Sequence, residues 1–568
     1  MGLEKINEVM MNFDESYIQD LLGDLKNSLI EWSIDREMVT KKNMIDIIVS
    51  VNGLKLFLNP EFRYRYFLSF EKVSVLKNMA KTMTFNQDKE FDQTAFAKRM
   101  KKEQFSEKEP YIYFVRNYLG LNEYQFSTIQ HDLEEETVGR QGEKFFELFD
   151  YQYMIKQQTI NDLENPEKDL YKILIHMPTG TGKTKTTMHI ISHYLNFVTK
   201  GKGTIIWIAH TNELLYQAFE TFRDIWSHLA TFDIDVYKGW IKYPETIQDG
   251  ILFTSIQGLQ AKMNKPIFDE IQKKASLIIF DEVHKSGAEK YKACIDKLMN
   301  KSNDYGKKFI GLTATPGRTT DISRDNTMFS EDFDHIIGID VDKINSITLP
   351  ELEVLNYRGS KDPIRYFQDR KILSTIEKKA LDFELDDDII AEIERQFRGR
   401  GQDYSSELIN KIGLNKSRNM QIVDELLYLY ENKIPTIVFA CSVQHAKMLS
   451  AFLNMQNIPN SLVYGEMDAY SRKKAISDFK DRNNDINIII NYDILTTGFD
   501  STNIKCVFIT RPTKSVILYS QMIGRGLRGP KMGGNESCLL IDVKENLKNF
   551  NESDAFRHFN SYWKLEGQ

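Results

Sequence analysis

Cysteine is scarce in this 568-residue chain: Cys294, Cys441, Cys506 and Cys538 stand far apart, and no Cys-x-x-Cys pair occurs. That pattern excludes a zinc ribbon and a disulfide framework. Cys441 and Cys506 sit inside apolar runs and read as small core residues. Long hydrophobic runs are missing too, since no stretch approaches the roughly 20 apolar residues of a membrane helix. The start, Met1-Gly2-Leu3-Glu4-Lys5-Ile6, carries neither a signal-peptide core nor a myristoylation pattern. The expectation is a cytoplasmic chain with no membrane partner. Positive charge is not in excess: the formal net charge is -7 and the pI ≈ 5.9. This argues against coating long nucleic acid non-specifically, but a local groove gripping a few phosphates stays open. No repeats or low-complexity tracts stand out.

The length requires several domains. Residues 1–144 read as a helical accessory domain, with periods such as Ile18 to Leu29 and Val73 to Thr84. The run Phe62-Arg63-Tyr64-Arg65-Tyr66-Phe67 reads as a partly buried amphipathic surface rather than a base-stacking platform. The basic residues Lys98, Arg99, Lys101 and Lys102 read as a solvated face. From 145 to 318 short apolar strands alternate with helical periods, at Ile173–Ile175, Thr204–Ala209, Ile251–Thr254, Leu277–Phe280 and Phe309–Leu312. Such alternation marks a doubly wound parallel sheet, an α/β fold whose ligands sit at the carboxyl ends of the strands. Residues 319–410 read as a helical connector, with periods at Ile372–Leu381 and Ile389–Phe397. Asp386-Asp387-Asp388 reads as a solvated acidic turn, because consecutive carboxylates do not converge on one helix face. The alternation returns over 411–545, with strands at Thr436–Ala440, Ile486–Ile490, Val507–Thr510 and Leu539–Val543, and 546–568 is read as a tail.

Chemistry enters at Met177-Pro178-Thr179-Gly180-Thr181-Gly182-Lys183-Thr184. A strand, a tight glycine-containing turn and a helix in that order build a phosphate cradle from backbone N–H groups. Lys183 is placed to reach the β/γ-phosphates and Thr184 to hold Mg²⁺. Met177 replaces the first glycine of the usual pattern. Downstream, Leu277-Ile278-Ile279-Phe280 ends in Asp281-Glu282-Val283-His284. A carboxylate pair at the end of a buried strand is costly unless an ion or substrate uses it. Asp281 is assigned to Mg²⁺ and Glu282 to activation of the attacking water.

With these motifs in order, the two α/β regions resemble the tandem RecA-like motor of superfamily 2 helicases and translocases. The resemblance rests further on Tyr151-Gln152, His210-Thr211-Asn212, Thr254-Ser255, Leu312-Thr313-Ala314-Thr315-Pro316, Ser442 after a strand, Thr496-Thr497-Gly498-Phe499-Asp500, and Gln521 through Arg528. It implies ATP and Mg²⁺ as cofactors. Tyr151, Gln152, Thr179, Gly180, Thr181, Gly182, Lys183, Thr184, Gly498, Asp500 and Gln521 would then surround the nucleotide, with Gln152 on the adenine edge. His210, Thr211, Asn212, Thr254, Ser255, Ser442, Thr496 and Thr497 would line the bound strand. His284, Thr313 and Thr315 would couple hydrolysis to movement. Arg525 and Arg528, three apart on an expected helix, would share a face and close on the γ-phosphate. Arg511-Pro512-Thr513-Lys514-Ser515 brings the chain nearest to the restriction-enzyme motor subunits, the type III restriction-like branch. Thr502 departs from the proline common there. This branch implies a DNA helicase or translocase, and a role in restriction or anti-phage defence. No Pro-Asp and Glu-x-Lys nuclease core is present, so cutting is expected from a partner chain. The alternatives are an RNA helicase and an ATP-driven switch subunit that regulates a partner nuclease.

Overall fold

The computed structural model describes residues 3–23, 40–83, 91–106, 108–121, 135–140, 147–165, 170–283, 289–300, 307–314, 332–346, 359, 362–381, 385–397, 403–467, 469–496, 499 and 501–543. Two parallel sheets form the frame. The first holds β1 (Glu135–Val138), β2 (Leu170–His176), β3 (Thr204–Ala209), β4 (Ile234–Lys238), β5 (Gly250–Ser255), β6 (Ala275–Asp281), β7 (Lys307–Thr313) and β8 (His335–Ile337), in the order β1-β4-β5-β3-β6-β7-β2-β8. Only β1 runs antiparallel to its neighbour β4. Every residue of β3, β6 and β7 is buried, as strands covered by helices on both faces require. The ends of β2, β7 and β6 therefore lie side by side.

The second sheet holds β9 (Thr375–Leu381), β10 (Thr436–Phe439), β11 (Ser461–Val463), β12 (Ile488–Asn491), β13 (Cys506–Ile509) and β14 (Ser537–Val543), in the order β11-β12-β10-β13-β14-β9, all parallel. The region read as a helical connector therefore contributes a strand. The period seen at Ile372–Leu381 is β9, which pairs with β14 along its whole length. Glu377, Lys378, Lys379 and Ala380 are good helix formers, and that hid the strand. On a sheet edge, exposed charges at 377–379 are in keeping with a strand that must not recruit another. The second period, around Ile389–Phe397, is a helix, Asp387–Phe397, paired with Ser406–Leu414.

The N-terminal helices pack on the second sheet's side, not the first. Their buried aromatics (Phe57, Phe62, Tyr66, Phe67 and Phe114) share one continuous core with Leu449 and Leu453 of the helix Val443–Met455. Tyr464 donates its hydroxyl to Val51 O at 2.7 Å across this junction. Arg63 is buried, with its guanidinium spent on the carbonyls of Phe57, Leu58, Met100 and Lys101. The Phe62–Phe67 run is thus core packing. The four cysteines are buried and free. No helix among the described residues is long and apolar enough to cross a membrane.

Candidate nucleotide site and nucleic-acid interface

Local sequence dictates the shape of the phosphate loop. Met177 follows β2, is fully buried, and donates its N–H to Thr313 O at 3.1 Å. A side chain is tolerated there because it faces the core. Gly180 and Gly182 have φ of 86° and 82°, the left-handed region that glycine enters without a steric cost. Gly182 caps the helix Lys183–His193. A Cβ on Gly182 would lie 2.4 Å from Gln152 Nε2. Thr181 is buried, and its carbonyl accepts from Tyr151 Oη at 2.7 Å and from Gln152 Nε2 at 2.9 Å. Gln152 Oε1 accepts from Phe149 N at 3.0 Å. Gln152 is fully buried and braces the loop from behind, so reading an adenine edge would require exchanging these partners.

Lys183 projects from the first helical turn toward the end of β6. Its Nζ lies 2.9 Å from Glu282 Oε1 and 3.9 Å from Asp281 Oδ1. Asp281 is 4% exposed, and its Oδ1 accepts from Glu282 N at 3.0 Å. Glu282 adopts φ 52°, a backbone state that costs a non-glycine residue roughly 1–3 kcal/mol and clusters at functional positions. In this conformation the Glu282 carboxylate meets Lys183. The oxygen-only donors Asp281 and Thr184, together with phosphate oxygens, suit a hard cation such as Mg²⁺. When bound, that ion would neutralise charge on the phosphates.

Sequence reasoning passed over His176, the residue before Met177. Its Nε2 lies 3.2 Å from Ala314 O, linking the phosphate-loop strand to the segment after β7. Burial first, and the Lys183 charge as well, hold its pKa down at about 4. The imidazole is therefore neutral near pH 7 and donates that hydrogen bond. Its signal was adjacency to the loop. Thr313 ends β7, fully buried. His284 and Thr315 lie outside the described residues, as do Thr497, Gly498 and Asp500.

The second lobe meets this loop directly. A Cβ on Gly524 would come within 2.7 Å of Thr179 Cβ, and one on Gly180 would lie 3.9 Å from Arg528 Cγ. Met532 Cε stands 3.8 Å from the Cβ position of Gly182. The arginines do not share a helix face, however. The helix Val516–Ile523 stops at Gly524, and glycines at 526 and 529 let the chain press against Cys538 and Lys371. Arg528 instead lies in a bridge with Leu373, its side chain against the phosphate loop. Arg525 donates Nη1 to Phe499 O at 2.6 Å and Nε to Gln521 O at 3.3 Å. Gln521 is buried on the same helix.

Several residues expected along a bound strand turn out to be helix caps. Thr211 and Ser442 follow β3 and β10, and Ser255 ends β5. The Thr211 hydroxyl accepts from Leu214 N (3.4 Å), that of Ser442 from His445 N (3.2 Å) and that of Ser255 from Gly258 N (3.0 Å). Asn212 opens the first of these helices and is exposed. A row of capped helix N-termini presents partial positive charge suited to phosphates. Thr254 is fully buried, its hydroxyl turned to Ser255 O, and Thr496 is 5% exposed, bonded to Asp493 O. Both hydroxyls are thus engaged by neighbouring backbone carbonyls. His210 packs its ring 5.3 Å from Phe280. Arg472 of the second lobe pairs with Glu213 of the first beside this row.

Two family models match, the type III restriction enzyme res subunit over residues 145–318 and the helicase conserved C-terminal domain over 418–529, together half of the chain. This chain belongs to superfamily 2 of the helicases. IRC3 of Saccharomyces cerevisiae, a presumed ATP-dependent helicase, is 27% identical over 70% of this superfamily 2 chain and 51% of its own length. The type I restriction enzyme EcoAI endonuclease subunit of Escherichia coli is 23% identical over 75% of the chain and 49% of its own length. The chain thus spans about half the length of these curated relatives. A solved fragment of an HsdR subunit of a type I restriction enzyme from Vibrio vulnificus YJ016 aligns over 72% of this helicase chain and 66% of its own, with 19% identity and a TM-score of 0.48. The first lobe thus brings Lys183, Asp281 and Glu282 together, and the second places Arg528 beside the same loop.

Proposed function

We propose that the chain is an ATP- and Mg²⁺-dependent DNA helicase or translocase, the motor of a restriction or anti-phage defence system that works with a nuclease partner. One observation carries this reading. Arg528 and Gly524 of one lobe lie against the phosphate loop of the other, whose Lys183 faces the Asp281–Glu282 pair. A triphosphate held there bonds both lobes, and its loss separates them. Lys183 and the loop amides hold the phosphates, and Glu282 orients and deprotonates the attacking water. Arg528 meets the charge that develops on the γ-phosphate, and Arg525 joins it by leaving Phe499 O. Repeated closure moves the capped helix ends of the two lobes relative to each other along one strand's backbone, without reading bases.

DNA is favoured by the restriction-enzyme res model and the restriction-enzyme relative. An RNA substrate has its own support, because the RNA helicase DDX42 of Xenopus laevis is 29% identical over 20% of the chain. ATP turnover measured with single-stranded, duplex and forked DNA and with matched RNA separates the two. Stimulation by DNA, with little by RNA, is expected. Stimulation by RNA alone would overturn the DNA reading, and triplex displacement by the isolated chain distinguishes a motor from an ATP-driven switch.

A further inference from the structure

Between the two lobes runs a segment whose contacts are too specific for a passive tether. The short helix Pro363–Asp369 docks on the first lobe behind the phosphate loop. Phe367, fully buried, stacks edge-on against Tyr151 with ring centroids 4.8 Å apart. Arg370 Nη1 donates to both oxygens of Asp150, at 2.6 and 2.5 Å, with the two side chains only 11% and 16% exposed. Tyr366 Oη adds contacts of 3.4 Å to the same carboxylate. Asp150, Tyr151 and Gln152 are consecutive, and the latter two hold the Thr181 carbonyl of the phosphate loop.

Four residues further on, the same segment grips the second lobe at Arg528. Ser374 N donates to Leu527 O at 2.9 Å, Gly529 N to Ile372 O at 2.9 Å, and Lys531 N to Lys371 O at 3.0 Å. Ser374 is fully buried, and its Oγ reaches Arg528 O at 2.6 Å and Asn535 O at 2.8 Å. A Cβ on Gly529 would lie 2.4 Å from Lys371 O, so the two chains approach as closely as glycine allows. Leu373 Cδ2 lies 3.4 Å from the Cβ position of Gly180. One short strap therefore holds the back of the phosphate loop at one end and the backbone of Arg528 at the other.

We propose that the strap 363–374 is the positioning element of the trans-lobe arginine, with Arg370 and Ser374 setting where Arg528 stands over the phosphate loop. The proposal rests on the reading of the site as an ATPase in which Arg528 acts across the lobes. Arg370 is spent on Asp150 and Ser374 on the carbonyls of Arg528 and Asn535, so in this proposal each acts through Arg528. Displacement of a reacting group by about 1 Å costs up to roughly 100-fold in rate, so a slackened strap lowers turnover without weakening nucleotide capture.

The test is steady-state ATP turnover of the full chain with saturating nucleic acid. Variants are Arg370→Ala, Arg370→Lys, Ser374→Ala and Arg528→Ala, and each strap variant combined with Arg528→Ala. The expected result for Arg370→Ala and Ser374→Ala is a kcat lower by about tenfold or more, with KM for ATP within about twofold of the parent. Arg370→Lys restores most of the rate, because a single nitrogen makes both contacts to Asp150 and an ammonium can replace it. In the Arg528→Ala background the strap substitutions cost nothing further. Parental kcat in both strap variants, or the same fold-loss on top of Arg528→Ala, overturns the proposal. If Arg370→Ala unfolds, the near-isosteric Ser374→Ala cycle decides alone. Parental turnover in Arg528→Ala itself is a different failure, removing the ATPase reading of that arginine rather than the strap.

Discussion

Lys183 stands between two carboxylates while the phosphate loop around it offers backbone N–H groups, so its charge is balanced before any triphosphate arrives. Removing it leaves the Asp281–Glu282 pair facing itself, and Lys183→Ala should abolish ATP turnover. Glu282→Gln keeps the side-chain size but removes the carboxylate proposed as the base. Nucleotide should still bind, seen with a fluorescent ATP analogue, while stimulated hydrolysis disappears; persisting hydrolysis would show that another group activates the water. His176 makes a pH prediction. Its folded pKa of about 4 lies below the ordinary imidazole value of about 6.5, so the unfolded chain binds the extra proton as pH falls between those values. The stabilisation from the neutral ring is complete above about pH 6.5 and is lost on descent toward pH 4. It amounts to on the order of 3 kcal/mol at most, since the ring keeps some exposure. His176→Gln should flatten the fall of Tm over that window relative to the parent, and an unchanged slope contradicts the assignment.

Among elements, hydroxyl caps order the strand-facing edge. Ser442→Ala removes an N-cap from Val443–Met455, and a loss of about 1 kcal/mol is expected by chemical denaturation. Ser442→Asn, another good cap, should lose far less. The first lobe's sheet was legible because β3, β6 and β7 are buried on both faces, so their apolar runs stand out in the sequence. The phosphate loop and the acidic pair were legible because the chemistry requires those residue types next to strands. Strands β8 and β11 were missed because each is only three residues long, β1 and β4 because Glu135, Glu136, Asp235 and Lys238 interrupt their apolar character, and β9 because an edge strand of Glu, Lys and Ala carries the composition of a helix. The helix stop at Ile523 was written in Gly524 and Gly526, but the i, i+3 spacing of the arginines outweighed it. What the strap holds was not legible at all, since Arg370 and Ser374 gain meaning only from Asp150 and Arg528, far away in sequence.

At the scale of the whole molecule, the N-terminal helices are built onto the second lobe and share its core. Movement of that lobe therefore carries the N-terminal domain with it. Tyr464→Phe removes the bond to Val51 O and should cost about 1 kcal/mol, read as a lower Tm of the full chain with ATP turnover unchanged. Deleting residues 1–121 should cause aggregation, because Leu449, Phe452 and Leu453 lose their cover. In the proposed cycle one triphosphate joins the lobes through Lys183 on one side and Arg528 on the other. Dyes on Phe197→Cys in the first lobe and Tyr428→Cys in the second report on it, since both positions are exposed and the native cysteines are buried. In the Glu282→Gln background, ATP with nucleic acid should collapse the single-molecule transfer distribution to one short distance, and Lys183→Ala or Arg528→Ala should prevent the collapse. A distribution that is the same with and without ATP would contradict the account.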